Sequence, residues 1–575
     1  MTSGEHAGVR ITHRGRSFFF TAALLLLAVS LPLLGGCPAN QDAPSGSAAL
    51  PAPASEATAE PPAPQPVTSP QWGGTLSRNM VSEETGLPSS FAVGGGDGSG
   101  GPESSPVNIK WSARLGTQTY GTPTVAAGRV FAGTNNGAPR NPRLTGDRFV
   151  LMCLSEDDGE FLWQLAAPSP VFHGDFSISG DLGVCTSAAV DAEEGRAYVV
   201  TSRCHVICTT LDPLGAALQP AYEDEAAYLA QPRERFSVGP DGPIVRRSNP
   251  DPPVALSPTD ANIAWVYDMM TGVSSWPHDA MSASPLLVGD YLYVGTGNAE
   301  AVDETTKPCP DGPSLIVLDK RTGELVATDD AGIVPRVHHG QWSSPSSGMV
   351  DERRLIFYGG GDGFCYAFDA TPTPGEAGKP GTLKTVWRCD ANPAELRQGR
   401  YLDRDGPSEI VATPVFHDGR VYVAIGQDPS HGLGRGALSC IDASGAGDIS
   451  ETGVIWRYTQ IDRSVSTVSV ADGLVYIADL AGVLHCVDAE TGEAVWRHEL
   501  GSAVWGSTMC ADGKVYVGTE AGQVYILRAG REKQVLATVP LPSPMYSTPV
   551  VAGGAVYIAT GRELYAVSFD GASAS

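Results

Sequence analysis

Gly473–Trp496 reads GLVYIADLAGVLHCVDAETGEAVW. Two short β-rich runs, Val475–Ala478 and Val483–Val487, flank Asp479-Leu480-Ala481-Gly482. Asp488-Ala489-Glu490-Thr491-Gly492 then turns the chain into Ala494–Trp496. β-branched and aromatic runs of this length, set between Gly and Asp punctuation, are hairpin signals. One such unit cannot bury both of its faces, so the fold depends on how often the unit recurs.

Two landmarks recur. The first is a Ser or Thr followed by Pro or by a small or apolar residue, placed in the first strand of each copy: Thr122, Ser187, Ser284, Ser344, Thr413, Thr467, Ser507 and Thr548. The second lies two residues before the turn in the third strand and is occupied by Cys153, Thr210, Val317, Ala367, Cys440, Cys486, Ile526 and Ala566. A second strand such as Tyr291-Leu292-Tyr293-Val294 runs between them. The closest landmarks are about 40 residues apart, the length of a four-stranded propeller blade. Fourth strands end near Trp163, Trp265, Trp387, Trp456 and Trp496. The eighth copy lacks a fourth strand after Ser568, whereas Asn108–Ala113 precedes the first copy as a spare. The expectation is an all-β, eight-bladed propeller over 107–570, closed by that N-terminal strand so that no sheet edge stays open.

Ahead of the repeats, Arg10, Arg14 and Arg16 precede an apolar run from Phe18 to Leu34 that ends Leu34-Gly35-Gly36-Cys37, the order of an export signal. It resembles the lipobox of bacterial lipoproteins. That resemblance implies a signal peptide over 1–36, a lipid on Cys37, membrane attachment through it and, with Pro38 next, an outer-membrane position facing the periplasm. Residues 37–70, rich in Pro, Ala and Ser, read as a disordered tether. A leader over 71–106 and a tail over 571–575 complete the domain map. The chain carries 64 acidic against 38 basic residues, a net charge of −26 over 575 residues, which repels phosphate backbones and excludes nucleic acid as a partner.

Asp488-Ala489-Glu490-Thr491-Gly492-Glu493…Trp496 resembles the tryptophan-docking repeat of pyrroloquinoline-quinone-like propellers. Asp319–Glu324 and Asp157–Glu160…Trp163 are partial matches, and Pro70-Gln71-Trp72-Gly73 is similar to the leaders of such propellers. The superfamily includes quinoprotein alcohol dehydrogenases and the outer-membrane β-barrel assembly factor B family. The resemblance covers Pro70 to Asp570 and implies that each Trp packs between blades.

Register assigns Cys153, Cys208, Cys365, Cys440 and Cys486 to one strand face as small core residues. Cys185, Cys204, Cys309, Cys389 and Cys510 leave room for one or two disulfides of unassigned pairing, with Cys309 the first candidate. No CxxC pair suggests a zinc site.

Propeller connectivity puts the loops leading into first strands and the turns leaving second strands on one face. The residues two before each Ser/Thr landmark look into the central funnel there: Tyr120, Cys185, Ser282, Trp342, Val411, Val465, Trp505 and Tyr546. The four aromatics form a floor suited to a flat ligand or a peptide side chain, or else plug the axis. Polar residues gather on the same face. The lead-in loops bring His173, Asp175, His278, Asp279, Arg336, His338 and His339. The second-strand turns bring His205, Asn298, Glu300, Asp362, Gln427, Asp428 and His431. Imidazoles and carboxylates of this kind suit a cation or acid–base work, although solvated loops collect polar residues in any case.

The first functional expectation is therefore a lipid-anchored binding or protein-interaction scaffold, with envelope proteins or a small ligand at the funnel face. The alternative, implied by the dehydrogenase resemblance, is an oxidoreductase using pyrroloquinoline quinone and calcium. In that reading the cofactor sits on Tyr120, Trp342, Trp505 and Tyr546, Gly295-Thr296-Gly297-Asn298 supplies Asn298 to the metal, and Asp279 is the candidate base. Against it, the adjacent-cysteine pair of those enzymes is missing, and Gly295–Asn298 ends a second strand just as Gly133-Thr134-Asn135 does. GxSxG, HExxH and P-loop signatures are also missing from the sequence.

Overall fold

The computed structural model describes residues 25–26, 67–94, 105–169, 180–216, 222, 224–230, 234–239, 242–247 and 252–569. The sites expected at Cys37, His173 and Asp175 lie outside them, as do most of the export signal and tether. Eight antiparallel sheets follow one another around an axis. The opening stretch is blade 6, with strands Ser469–Ala471, Leu474–Ala478, Val483–Asp488 and Ala494–Glu499. In blade 8, Val550–Ala552, Ala555–Ala559 and Glu563–Val567 take their fourth strand, Ile109–Arg114, from the N-terminal side of the ring, with Ser112 opposite Tyr565. The eight-bladed propeller and its closure by the spare strand are as the repeat count demands.

The Ser/Thr landmarks stand just before the first strands rather than inside them. Thr122 and Pro123, for example, precede Thr124–Ala126. From there they join blade to blade. The main-chain N–H groups of Ser187, Ser284, Thr413, Thr467, Ser507 and Thr548 each donate to a landmark hydroxyl on the next blade. The acceptors are Ser284 (3.1 Å), Ser344 (2.7 Å), Thr467 (3.1 Å), Ser507 (2.9 Å), Thr548 (2.8 Å) and Thr122 (2.9 Å). A β-branched or small hydroxyl residue suits this place because it accepts from a neighbouring N–H while its backbone enters a strand.

The outer layer is locked by tryptophan. The indole N–H groups of Trp111, Trp163, Trp265, Trp387, Trp456 and Trp496 donate to the main-chain carbonyls of Glu156, Leu211, Lys320, Ala443, Ala489 and Gly530 on the following blade, at 2.8–3.2 Å. Gly492 shows why the turn needs glycine: its φ is +74°, and a Cβ there would stand 2.7 Å from the Trp456 ring. Inside each strand pair a small residue faces the indole, as in Cys153 opposite Trp163, Cys440 opposite Trp456 and Cys486 opposite Trp496. In blade 2 that place belongs to Cys208, opposite Trp265, and not to Thr210. The bulge after Cys208 has counterparts after Cys153, Cys440 and Cys486; what differs in blade 2 is the longer third strand, His205–Pro213, which sets the turn further beyond the indole-facing residue.

All ten described cysteines are free and buried, so the disulfides entertained for Cys185, Cys204, Cys309, Cys389 and Cys510 are not formed. In the 213–260 insert, a short helix forms at Glu225–Tyr228 inside the expected 223–229. The remainder, expected as loop, contains a hairpin of Glu234–Gly239 with Gly242–Arg247. This insert lies on blade 2: the Tyr228 hydroxyl meets His205 Nδ1 at 3.0 Å, and the Arg203 guanidinium sits 5.0 Å from the Phe236 ring centre. Among the described residues no helix is long and apolar enough to cross a membrane.

The leader is integral to the ring. Moving from 67 to 84 it bonds in order to every blade's first strand or the turn after it. Val67 O accepts from Gly553, Ser69 pairs with Val125, and Pro70 O accepts from Val190. The Gln71 amide oxygen accepts from Leu287, while Leu76 O and Ser77 O accept from Ser347 and Phe416. Asn79 bonds Val470 in both directions, Met80 O accepts from Cys510, and Glu84 meets Gly554. The bonded leader thus includes Val67–Pro70, which the sequence reading placed in the tether. Arg78, fully buried and at φ +60°, donates to the carbonyls of Trp72, Ser284, Pro285 and Pro345. Burial lowers its pKa to about 9.

Candidate functional site

The funnel residues do converge. Tyr120, Cys185, Ser282, Trp342, Val411, Val465, Trp505 and Tyr546 line one axial cavity of about 50 Å³ together with the Ser/Thr ring and, from the leader, Trp72. That volume admits a few waters at most. Leu182, Ala280 and Leu480 pack onto the floor as well. Trp342 is 3% exposed and Tyr120 7%, so this half of the floor is sealed. Trp505 and Tyr546 remain half-buried, their ring centres 5.3 Å apart, with Tyr120 4.6 Å beyond Tyr546. The Trp505 indole N–H donates to Glu520 at 3.2 Å. The open part of the floor is thus an aromatic pair with an acidic rim over blades 7 and 8.

A second constellation occupies the same face over blades 3 to 5. The loop into blade 4 supplies His338, His339 and Trp342, and the loop before blade 3 supplies His278 and Asp279. The long loop before blade 5 adds Tyr401 and Glu409, and the turn after that blade's second strand adds Asp428 and His431. His278 and His339 are 4.3 Å apart between ring centres, His339 and His431 4.6 Å, and His339 and Trp342 5.4 Å. The rings of His338 and Tyr401 stack at 5.4 Å. The Tyr401 hydroxyl donates to Glu409 at 2.9 Å.

Burial dominates the electrostatics here. It disfavours the His278 imidazolium, yet Asp279 and the Glu300 carbonyl outweigh it and lift the pKa to about 9. Burial pushes His338 and His431 down to about 4, and the charges of His278 and His431 add to the burial that drives His339 well below the ordinary range. Burial also raises Asp428 to about 6, Asp279 adding to it, and Glu409 to about 8. Glu409 Oε2, Gln427 Oε1 and Asp428 Oδ2 are buried without hydrogen-bond partners among the described residues.

The geometry redistributes the roles expected from sequence. Asn298 is fully buried and its carboxamide is committed to main chain: Oδ1 accepts from Trp276 N at 3.1 Å, and Nδ2 donates to the Cys309 carbonyl at 2.9 Å. It braces the 299–313 insert. Asp279 belongs to the imidazole cluster instead, at 3.3 Å from His278 Nε2. With Trp342 sealed, the axial cavity this small and Asn298 occupied, these residues do not fit a quinone with its calcium, and no step through that pair follows. Tyr401 and Glu409 were not singled out by sequence reasoning. Their one legible signal is that they lie in a long insert before a blade, where functional residues concentrate.

A family model described as outer membrane protein assembly factor BamB matches residues 105–307, 445–530 and 480–574, more than half of the chain. Among curated proteins, the chain is 25% identical over 144 residues to quinohemoprotein alcohol dehydrogenase ADH IIB of Pseudomonas putida, spanning 22% of this chain and 19% of that protein. It is 32% identical over 97 residues to outer membrane protein assembly factor BamB of Burkholderia pseudomallei, spanning 17% of this chain and 25% of that protein. The matches therefore span a quarter or less of those relatives' lengths. Of solved structures, BamB from Moraxella catarrhalis aligns with a TM-score of 0.44 at 16% identity, over 79% of this chain and 98% of that one. Quinohemoprotein alcohol dehydrogenase from Comamonas testosteroni aligns with a TM-score of 0.43 at 13% identity, over 88% and 81%. On the extent of the family match and the blade-by-blade tryptophan docking, the chain belongs to the PQQ-like β-propeller family typified by outer membrane protein assembly factor BamB.

Proposed function

We propose that this chain is an exported lipoprotein whose propeller serves as a protein-interaction scaffold in the cell envelope. Residues 1–36 act as the signal peptide, Cys37 carries the lipid, and the funnel face meets the partner. The observation that carries the reading is the half-open Trp505–Tyr546 pair, rimmed by Glu520, on an axis otherwise closed by side chains and by the leader. Aromatic rings with a polar rim are the composition of protein-binding hot spots, where a few large side chains carry most of the affinity. The net charge of −26 favours a basic patch on the partner.

The test is site-specific photocrosslinking in cells, with a benzophenone amino acid at Tyr546 or at Asp418 on the opposite face. The expected result is a crosslinked envelope protein from position 546 that also co-purifies stoichiometrically with the wild type and is lost in Trp505→Ala. Equal labelling from both positions, or none from 546, removes the scaffold reading. Membrane fractionation and lipid labelling of Cys37→Ala test the anchor separately: a variant that keeps its lipid label overturns the assignment to Cys37.

A further inference from the structure

His278, Asp279 and His339 come from two different loops, yet their donor atoms all lie within 4.8 Å of one another, and each residue is at most 8% exposed. Three features point beyond chance crowding. First, His278 Nδ1 lies 2.9 Å from the Glu300 carbonyl oxygen, an acceptor only, so Nδ1 carries the proton. Nε2 then faces Asp279 Oδ2, 3.3 Å away, a spacing that a proton or a metal ion between the two atoms can bridge. Donation of the other ring N–H to a carbonyl is also how metal-bound imidazoles are held in the binding tautomer. Second, the His339 ring is 3% exposed and stands edge-on to both His278, at 4.3 Å, and His431, at 4.6 Å, and one of its ring nitrogens lies within 4.8 Å of the other two donors. Third, Asp279 holds φ +57°, a conformation that non-glycine residues avoid, and it is this backbone that carries the carboxylate into the cluster.

We propose that His278 Nε2, the Asp279 carboxylate and a ring nitrogen of His339 bind a divalent transition-metal ion of the zinc class. Two imidazoles and one carboxylate around one ion, at bonds of about 2.0–2.2 Å, make a three-ligand site that leaves a fourth position for water or an outside donor. Drawing the three donors to those bond lengths requires side-chain adjustments of about 1 Å. Nitrogen donors select against calcium and magnesium, which take oxygen ligands. His431, whose ring centre stands 4.6 Å from that of His339, is a further imidazole beside the cluster. This ion is unrelated to the calcium of the quinone-dependent enzymes, because it uses neither Asn298 nor the funnel floor. It also stands independently of the scaffold reading.

The full-length protein, stripped with a chelator and dialysed, is titrated with Zn²⁺ by calorimetry and checked by elemental analysis. Co²⁺ serves as the optical probe. One equivalent is expected to bind, with visible ligand-field bands for Co²⁺ that zinc displaces. His339→Ala and Asp279→Asn are each expected to weaken the site by more than about 100-fold, a loss larger than that of an outer-shell change. His417→Ala, at an exposed histidine on blade 5, is expected to leave it unchanged. Thermal melting of the metal-free variants confirms their folding, and the Co²⁺ spectrum of the wild type decides the matter if a variant does not fold. Absence of a one-equivalent site, zinc binding that survives His339→Ala, or a Co²⁺ complex without ligand-field bands overturns the proposal. The first of these outcomes would leave His278 and Asp279 as a buried proton-bridged pair.

Discussion

Thr548 donates its main-chain N–H to the hydroxyl of Thr122 at 2.9 Å, although 426 residues separate them. It is the step of the Ser/Thr ring that crosses from blade 8 to blade 1, next to the seam where the N-terminal strand completes the last sheet. Thr122→Val keeps the shape and leaves that buried N–H without a partner, so a loss of about 1–3 kcal/mol in urea unfolding is expected. Thr122→Ser retains the acceptor and should lose under about 1 kcal/mol. Equal losses in the two variants would mean the ring bond adds nothing.

Two glycines of blade 6 separate backbone conformation from packing. Gly473 (φ +72°) and Gly492 (φ +74°) have matching dihedrals, but a Cβ at Gly473 meets nothing within 4 Å, whereas one at Gly492 meets the Trp456 ring. Both Ala variants carry the left-handed strain. Gly492→Ala adds overpacking, an excess of about 1–3 kcal/mol over Gly473→Ala by chemical denaturation. Trp456 fluorescence should shift in the first variant alone.

Arg78 ties the leader to blades 3 and 4 through the carbonyls of Ser284, Pro285 and Pro345. Arg78→Met removes the guanidinium and strands those acceptors in a dry interior, for an expected loss of about 2–5 kcal/mol. Arg78→Lys, a point charge without the planar fork, should recover only part of it. Limited proteolysis within 67–94 is the independent readout, with cleavage rising in the order wild type, Lys, Met.

Glu409 titrates against the fold. Burial lifts its carboxyl from 4.5 to about 8, with Asp428 contributing, while the Tyr401 hydroxyl opposes the shift. Between those two pH values the folded protein holds a proton that the unfolded chain has released, so stability falls as pH rises across the window. Glu409→Gln removes this dependence. Its melting temperature should match the wild type near pH 5 and exceed it at pH 8.5, by up to a few kcal/mol of stability on the order set by the shift. Parallel pH profiles for the two proteins would show that Glu409 ionises freely.

What the sequence made legible follows from periodicity. Strand patterns, Gly turns and Trp spacing repeat eight times, so an error in one copy is corrected by its siblings, and Trp456 on Gly492 is visible as a motif before it is visible as a contact. Where one copy departs from the rest, that correction is lost. The longer third strand of blade 2, His205–Pro213, moves its turn away from Cys208 and points spacing to Thr210 instead, and the 234–247 hairpin has no sibling to announce it. The leader hid for a different reason. Its hydrogen bonds are mostly main-chain groups meeting strand edges, and Pro70–Met80 carries no strand pattern of its own. The imidazole cluster was half visible: His278, Asp279, His339 and His431 could be assigned to one face. Their convergence on blades 3 to 5, beside Asn298 and apart from the Trp505–Tyr546 pair, is set by loop paths that residue types do not encode.

The leader's course has a directional consequence. Its first contact, Val67 with Gly553, is at the turn between the first two strands of blade 8. Such turns lie at the end of the ring opposite Trp505, Tyr546 and the histidines. Val67 therefore joins the ring at the back of the disc, on the side opposite Trp505 and Tyr546. With the attachment proposed at Cys37, the segment that ties the eight blades together would also set which side of the disc meets the support.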